Sequence, residues 1–272
     1  MTLTVGIPSR GINSSLHRVI EHALSLEADE ILVAINPGGN EIDDLSKYSD
    51  PRLRITFHKE DLGLYGNFRF LVKQANSEFF SWLCTDDHIS PEIPRLLKDF
   101  HTSQDNLIIP SWFWAEYNSQ SNNLFDLTNM RKGTLPDLSS SKTIVQSALH
   151  SEPSWIFGIW RTAYLLSIFP SRDFDWLDTH LLQKVLLSRK VSVVSVANPT
   201  IIGTWHWASK VPNSVSQKGH SPWIAIYNQV ILMPRLILKS PTCFWSIVLR
   251  IRFLIMSSRS MNQIKTKGST TK

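Results

Sequence analysis

The chain has 272 residues, of which 42% are hydrophobic and 10% aromatic, enough for one large α/β domain or for a domain with an appendage. Its two cysteines, Cys84 and Cys243, lie far apart, which excludes a disulfide framework or a zinc motif and fits a reducing compartment. No apolar run reaches the roughly 18–20 residues of a membrane span, and the first residues lack the pattern of a secretory signal, so we expect a cytoplasmic protein.

Charge is distributed unevenly along the chain. All 23 Asp and Glu lie at or before Asp178, whereas 13 of the 28 Lys and Arg follow it. This asymmetry favours an anionic partner for the C-terminal part, although some of the charge can simply face water. The apolar segment 211–272 has no clean amphipathic period. Its Lys and Arg residues allow contact with an anionic membrane surface, and the alternative is that the segment docks on the protein itself or on a second subunit. It contains no recognition motif for nucleic acid, and we expect no such partner.

The first part of the chain alternates strands and helices. Leu3–Ile7 predicts a strand closed by Pro8, and apolar residues at helical spacing from Leu16 to Leu24 predict a helix. Further strands are predicted at 30–35, 53–57, 79–84 and 107–109, and further helices at 63–75 and 91–100. This order predicts an open, mostly parallel α/β sheet with helices on both faces and ligand-binding loops at the carboxyl ends of the strands.

The pattern is less regular from Ser111 to Trp207. Seven of the ten tryptophans lie in this stretch, and each can be a core residue, the commoner role, or a ring that packs on a sugar. The predicted elements here are loops at 119–123 and 133–141, a helix at 177–187, a strand at 191–196 and a turn at 203–207.

Two adjacent acids, Asp86 and Asp87, follow the predicted strand 79–84 directly. An apolar strand that ends in acids is how α/β proteins build a ligand site, and neighbouring carboxylates repel unless a cation lies between them. The same residues also fit a polar loop that starts a helix, with Asp87 or Ser90 as the N-cap and Pro91 in the first turn. No GxGxxG or GK[ST] loop is present, so a nucleotide would be held in another way.

Three segments in order resemble the N-terminal half of family 2 glycosyltransferases: VGIPSRG at 5–11, EILVAINPGG at 30–39 and DLGLYGNFRFLVKQANSEFFSWLCTDDHISPE at 61–92. The resemblance continues more loosely through WIFGIWR, DFDWLD and GTWHW to about residue 210. It implies a GT-A fold, a Rossmann-like and mostly parallel sheet flanked by helices. The glycosyltransferase domain would span 1–210, with a nucleotide-sugar-binding half at 1–110 and an acceptor-binding half at 111–210, and 211–272 would form a basic extension.

The resemblance also implies roles for single residues. Asp87 matches the metal-binding acid of the DxD type, for Mn²⁺ or Mg²⁺, and His206 matches a histidine that approaches the metal in some members. Asp178 resembles the catalytic base, with Asp175 as the alternate, and both also fit a helix cap and first-turn acid. Asn36 stands where many members have an Asp that contacts the base, which leaves the base open. The nucleotide pocket would contain Pro8, Ser9, Arg10, Asn36, Tyr65, Gly66, Asn67 and Asp86.

Together these assignments imply an inverting glycosyltransferase. It would move a sugar from a nucleoside-diphosphate sugar, with a UDP-sugar as the expected donor, to a hydroxyl of a glycan or lipid-linked glycan in polysaccharide or glycolipid synthesis. The metal would stabilise the leaving diphosphate, and a carboxylate would deprotonate the acceptor. The basic extension would make it peripheral at the inner face of the membrane. The alternative is a non-catalytic module of the same fold that binds a nucleotide-sugar or a glycan.

Overall fold

The computed structural model describes residues 1–38, 44–91, 93, 97, 104–117, 125–149, 151–170, 177–194 and 201–204, with only the backbone of 114–117, 125–131, 153 and 201–204. The chain divides into two compact units, one of Met1–Leu135, Ser154–Phe169 and Lys190–Gln217, the other of Pro136–Pro153, Pro170–Arg189 and Lys218–Lys272. The predicted division at residue 110 stays a prediction, and the extension 211–272 lies outside the described residues. In the described part, no helix has the length and hydropathy that a membrane crossing requires.

Eleven strands and five α-helices are described, with one 3₁₀ helix at Pro153–Phe157. The strands are β1 (Leu3–Arg10), β2 (Glu30–Asn36), β3 (Leu53–Phe57), β4 (Phe79–Trp82), β5 (His88–Ile89), β6 (Leu107–Pro110), β7 (Trp112–Tyr117), β8 (Phe125–Lys132), β9 (Ile159–Arg161), β10 (Val191–Val194) and β11 (Ile201–Thr204). The helices are α1 (Ser14–Ser25), α2 (Gly63–Gln74), α3 (Ser141–Leu149), α4 (Thr162–Ile168) and α5 (Leu177–Ser188).

The main sheet of the first unit has seven strands in the order β10-β6-β9-β4-β1-β2-β3. Its pairs are parallel except for β9, which is antiparallel to both β4 and β6. The run of buried apolar side chains in β2 is typical of a strand covered on both faces. The predicted mostly parallel α/β sheet is therefore confirmed.

Helix α1 shows how local sequence forms these elements. The Oδ1 atom of Asn13 accepts a hydrogen bond from the Leu16 amide at 3.0 Å and caps the helix. The side chains that α1 buries recur at helical spacing and pack toward the main sheet. They are Leu16, Val19, Ile20 and Ala23. Helix α2 packs on β1 and β2 in the same way and buries Phe68, Leu71 and Val72.

A second sheet of the first unit has the order β5-β11-β7-β8. Strands β7 and β8 form an antiparallel pair, and β11 runs parallel to β7. The predicted turn at 203–207 is wrong for Gly203 and Thr204, because both pair with β7. The predicted loop at 119–123 lies outside the described residues, whereas residues 133–140 form no helix or strand.

The second unit contains α3 and α5. The Ser140 hydroxyl accepts from the Thr143 amide at 3.1 Å, and the Thr143 hydroxyl accepts from the Ser140 amide at 3.0 Å, a reciprocal cap for α3. Helix α5 confirms the prediction for 177–187, and it is buried around most of its circumference.

Candidate functional site

The strand order of the main sheet places the expected ligand crevice at its carboxyl end, between β1 and β4. Strand β1 pairs with β2 as far as Arg10 and Asn36, whereas its register with β4 ends at Gly6 and Trp82. One further bond, from the Leu83 amide to the Gly6 carbonyl at 2.9 Å, closes this ladder. Because β2 and β3 follow on one side of β1 and β4 lies on the other, the strand order reverses here. Open α/β sheets bind their ligands at such a point.

The acid turn, residues Cys84–Asp87, follows β4 and is taken as one wall of this expected crevice. The Asp87 amide donates to the Cys84 carbonyl at 3.0 Å and closes the turn. Burial, and then the negative charge of Asp86, raise the pKa of Asp87 to about 8. Burial and the two carboxylates also raise the pKa of the Cys84 thiol well above its usual value. Two anions are therefore unfavourable in this turn, and a bound cation would relieve their repulsion.

The acids Asp86 and Asp87 suit a hard divalent cation that a ligand helps to hold. No group of three or more His, Cys, Asp and Glu able to bind a metal exists among the residues with described side chains. Two carboxylates together with phosphate oxygens are, however, a donor set that Mg²⁺ accepts, and Mn²⁺ favours the same oxygen ligands. The chemistry of the acid turn thus fits a metal bound jointly with a diphosphate. His206, the other predicted ligand, lies outside the described residues.

The end of β1, at the same edge of the sheet, is taken as the other wall. The Ser9 hydroxyl donates to the Gly11 carbonyl at 2.9 Å, and the Gly11 amide donates to the Asn36 carbonyl at 2.9 Å. Gly11 has a φ of 69°, which favours glycine. Arg10 is exposed and lies 3.9 Å from Asp61, a contact weak enough in water to leave the guanidinium available to an anion. Pro8 is buried within β1.

Asn36 holds the start of α2 against the end of β2. Its Oδ1 atom accepts from the Leu62 amide at 3.2 Å, and its Nδ2 atom donates to the Gly63 carbonyl at 3.1 Å. An Asp could accept from Leu62 but could not donate to Gly63. The Asn36 side chain is buried with both amide atoms engaged on the main chain, and its predicted contact to the base stays a prediction.

Asn67 joins three elements behind the crevice. Its Nδ2 atom donates to the carbonyls of Ala34 at 2.9 Å and Ser9 at 3.3 Å, and its Oδ1 atom accepts from Nε2 of His58 at 3.2 Å. Asn67 is 2% exposed, so these bonds are shielded from water. It therefore fixes α2 to the carboxyl ends of β1 and β2. Tyr65 and Gly66, the adjacent predicted residues, lie in the first part of α2.

The proposed base lies in the second unit. Asp178 is in the first turn of α5, where its Oδ1 atom accepts from the Thr179 amide at 2.7 Å. Asp175 lies outside the described residues. The structure thus brings Pro8, Ser9, Arg10, Asn36, Asn67 and the acid turn to one edge of one sheet and places Asp178 in the other unit.

Three of the tryptophans considered for sugar stacking are core residues. Trp112, Trp155 and Trp160 are 2%, 3% and 0% exposed. The indole N–H groups of Trp112 and Trp155 both donate to the Thr134 carbonyl, at 3.4 and 2.8 Å. The core role, which the sequence predicts as the commoner one, is therefore confirmed for these three, and a sugar-stacking role is excluded for them.

His22 is a residue of the site that the sequence did not single out. Its Nε2 atom lies 2.8 Å from the Ile89 carbonyl oxygen, and its ring stacks on His88 with centroids 4.0 Å apart. Burial lowers the pKa of His22, and burial followed by His22 lowers the pKa of His88 to about 4. No sequence signal could have found this contact, because 67 residues separate His22 from Ile89.

An α/β sheet with acids beside its switch point is the arrangement in which open α/β proteins build a ligand site. The chain matches the model of "Glycosyl transferase family 2" over residues 4–156, more than half of its length, and it belongs to that family. The predictions of this family and of a GT-A fold are confirmed.

Solved structures of a Staphylococcus aureus protein, TarS, share this fold. TarS 1–349 in complex with UDP-GlcNAc is 17% identical with a TM-score of 0.61, and the match covers 87% of this chain and 67% of that one. TarS 1–349 in complex with UDP is 16% identical with a TM-score of 0.57, covering 87% and 66%. In a further TarS structure, the region similar to this chain covers only 40% of the TarS chain. None of the curated proteins matches the sequence.

Proposed function

We propose that this protein transfers a sugar from a UDP-sugar to a hydroxyl group of a glycan or lipid-linked glycan acceptor, with inversion at the anomeric carbon. The observation that carries the proposal is the switch point between β1 and β4, where the acid turn after β4 and the basic end of β1 lie at the same edge of the sheet. Membership of glycosyl transferase family 2 supports the reaction class. The TarS structures with UDP-GlcNAc and UDP support the choice of nucleotide.

Donor binding is assigned to the two walls of the crevice. Asp87 would hold Mn²⁺ or Mg²⁺, which would neutralise the charge that develops on the leaving diphosphate, and Asp86 would contact the nucleotide beside it. The exposed guanidinium of Arg10 offers a second positive charge to the same diphosphate. The Ser9 and Asn67 hydrogen bonds hold the β1 wall in place, so it need not reorganise when the donor binds.

Acceptor activation is assigned to Asp178. Its carboxylate takes the proton of the acceptor hydroxyl while that oxygen attacks the anomeric carbon and the bond to the diphosphate breaks. The Thr179 amide fixes one carboxylate oxygen and so limits the rotation of the side chain. A single displacement inverts the anomeric carbon and needs no covalent sugar–enzyme intermediate.

The test measures UDP release from a panel of UDP-sugars with Mn²⁺ and candidate acceptors. We expect Asp87→Asn to abolish Mn²⁺-dependent UDP binding and turnover. Asp178→Asn should keep binding but lower turnover by about 10²- to 10⁴-fold. Asp44→Asn is the matched control, because Asp44 is exposed and its partner among the described residues is Ser46.

Full turnover by Asp87→Asn would refute the assignment of the acid turn. Tight UDP binding without turnover by the unsubstituted protein would instead indicate the non-catalytic module.

A further inference from the structure

We propose that His22 is a positioning residue for the acid turn: from α1 it anchors the strand that leaves the turn, and so it sets where Asp86 and Asp87 meet the donor. This inference rests on the proposed function. His22 would touch neither the metal nor the nucleotide, and would act only through the main chain of β5.

The contact of His22 with Ile89 does not depend on the tautomer of the ring. With a proton on Nε2, the ring donates to the Ile89 carbonyl oxygen at 2.8 Å. Without it, Nε2 accepts from the Ile89 amide at 3.2 Å. In both forms the same ring atom is bonded to the main chain of one residue, two positions after Asp87. The stacking on His88, with ring planes 24° apart, adds a second contact to the same strand.

The acid turn needs such an anchor on its downstream side. On its upstream side the chain is held by the parallel ladder of β4 with β1. Downstream, β5 has only two residues, which pair with Ile201 and Ile202 of β11. A pairing this short restrains a strand weakly, since most strands extend over about 5–6 residues. His22 supplies a further restraint from a different element.

The anchor also links the two walls of the crevice. His22 lies in the last turn of α1, the helix that follows β1 and packs on it. Through His22 and α1, β5 is therefore held relative to β1, the strand whose end carries Ser9 and Arg10. The distance between the acids and the basic end of β1 thus depends on the His22 contact, and a bound metal diphosphate requires that distance to be kept.

The experiment compares the full chain with His22→Leu and His22→Gln. Outer residues that orient metal-binding groups typically contribute about 10- to 100-fold to metal affinity. We expect His22→Leu to weaken Mn²⁺-dependent UDP binding about tenfold and to leave UDP binding in EDTA unchanged. His22→Gln, whose amide can still donate to the Ile89 carbonyl, should recover part of the affinity. Hydrogen exchange of a peptide spanning residues 83–90 should rise in His22→Leu without ligand.

His17→Leu is the matched control. His17 belongs to the same helix but contacts Tyr48, with Nδ1 3.0 Å from the phenol oxygen. The His17→Leu substitution should change neither the Mn²⁺-dependent affinity for UDP nor the hydrogen exchange of residues 83–90, whatever its effect on stability. A general loosening of α1 would instead change both variants alike and would overturn the proposal.

Two further outcomes separate the inference from the proposed function. If the unsubstituted protein binds UDP with Mn²⁺ and His22→Leu binds it equally well, the inference is wrong and the proposed function stands. If the unsubstituted protein shows no Mn²⁺-dependent UDP binding, the proposed function is wrong and the inference fails with it.

Discussion

Replacing Asn67 should destabilise the protein strongly although the residue is small and polar. Asn67→Leu keeps the branched shape but removes both the donor and the acceptor of the side-chain amide. The Ser9 and Ala34 carbonyls then lose a donor, and His58 loses an acceptor. A net contribution of about 1 kcal/mol for each bond predicts a loss of about 3 kcal/mol. The site is 2% exposed, so water cannot easily replace the lost partners.

Asn67→Asp should cost more than Asn67→Leu. A carboxylate oxygen would then face the two carbonyl oxygens that the amide nitrogen now contacts, and a buried charge without a donor adds at least about 1–2 kcal/mol. The control is Asn76→Leu, because Asn76 is exposed and, within the described part of the chain, its side chain bonds Glu30. That change should cost less than about 1 kcal/mol.

The measurement is urea unfolding followed by tryptophan fluorescence and by circular dichroism, with coincident transitions as the requirement for a single free energy. A free energy of unfolding for Asn67→Leu within about 0.5 kcal/mol of the unsubstituted protein would refute the argument. A smaller loss for Asp than for Leu would refute it as well, because it would mean that the two carbonyls are not what the side chain contacts.

Two further predictions concern α5. Gln183 is fully buried, and neither of its amide atoms has a partner in the described part of the chain. Gln183→Met should therefore raise the unfolding free energy by about 1–2 kcal/mol, and an unfolding free energy below that of the unsubstituted protein would contradict this. Burial, and then the charge of Lys184, lower the pKa of His180 from 6.5 to about 4. Between these values the unfolded chain binds a proton that the folded chain does not, so stability should fall by about 2 kcal/mol from pH 7 to pH 5. In His180→Phe, urea unfolding at the two pH values should show a decline smaller by that amount, and an unchanged decline would contradict the assignment.

The alternation of strands and helices in residues 3–110 could be predicted because its signals are local. The apolar run of β2 and the spacing in α1 each lie within about a dozen residues. The end of β1 was predicted wrongly. Pro8 was expected to close the strand, but the strand continues to Arg10. Pairing with β4 has already ended at Gly6, so on that side the missing N–H of Pro8 has no ladder bond to lose.

The shorter strands could not be predicted from local pattern. Strand β9 has three residues and β5 has two, which is too few to show a period. Both exist because of distant partners: β9 lies between β4 and β6, and β5 pairs with β11. The tryptophans show the same limit, because the sequence left each of them as either a core residue, the commoner role, or a ring that packs on a sugar. Trp155 is buried because its indole N–H has an internal acceptor, the Thr134 carbonyl, 21 residues away.

The candidate site likewise contains residues that local sequence could place and residues that only tertiary structure places. Asp86 and Asp87 could be placed at the crevice because an acid after an apolar strand lies at the sheet edge whatever the rest of the fold does. The roles of Asn36, Asn67 and His22 could not, because a side-chain amide or imidazole takes its partner from tertiary structure. In the structure all three bond to main-chain atoms. The charged groups would therefore perform the chemistry, while the neutral polar groups determine the distances between them. Substitutions of the two kinds should differ in how strongly they change the metal dependence of UDP binding.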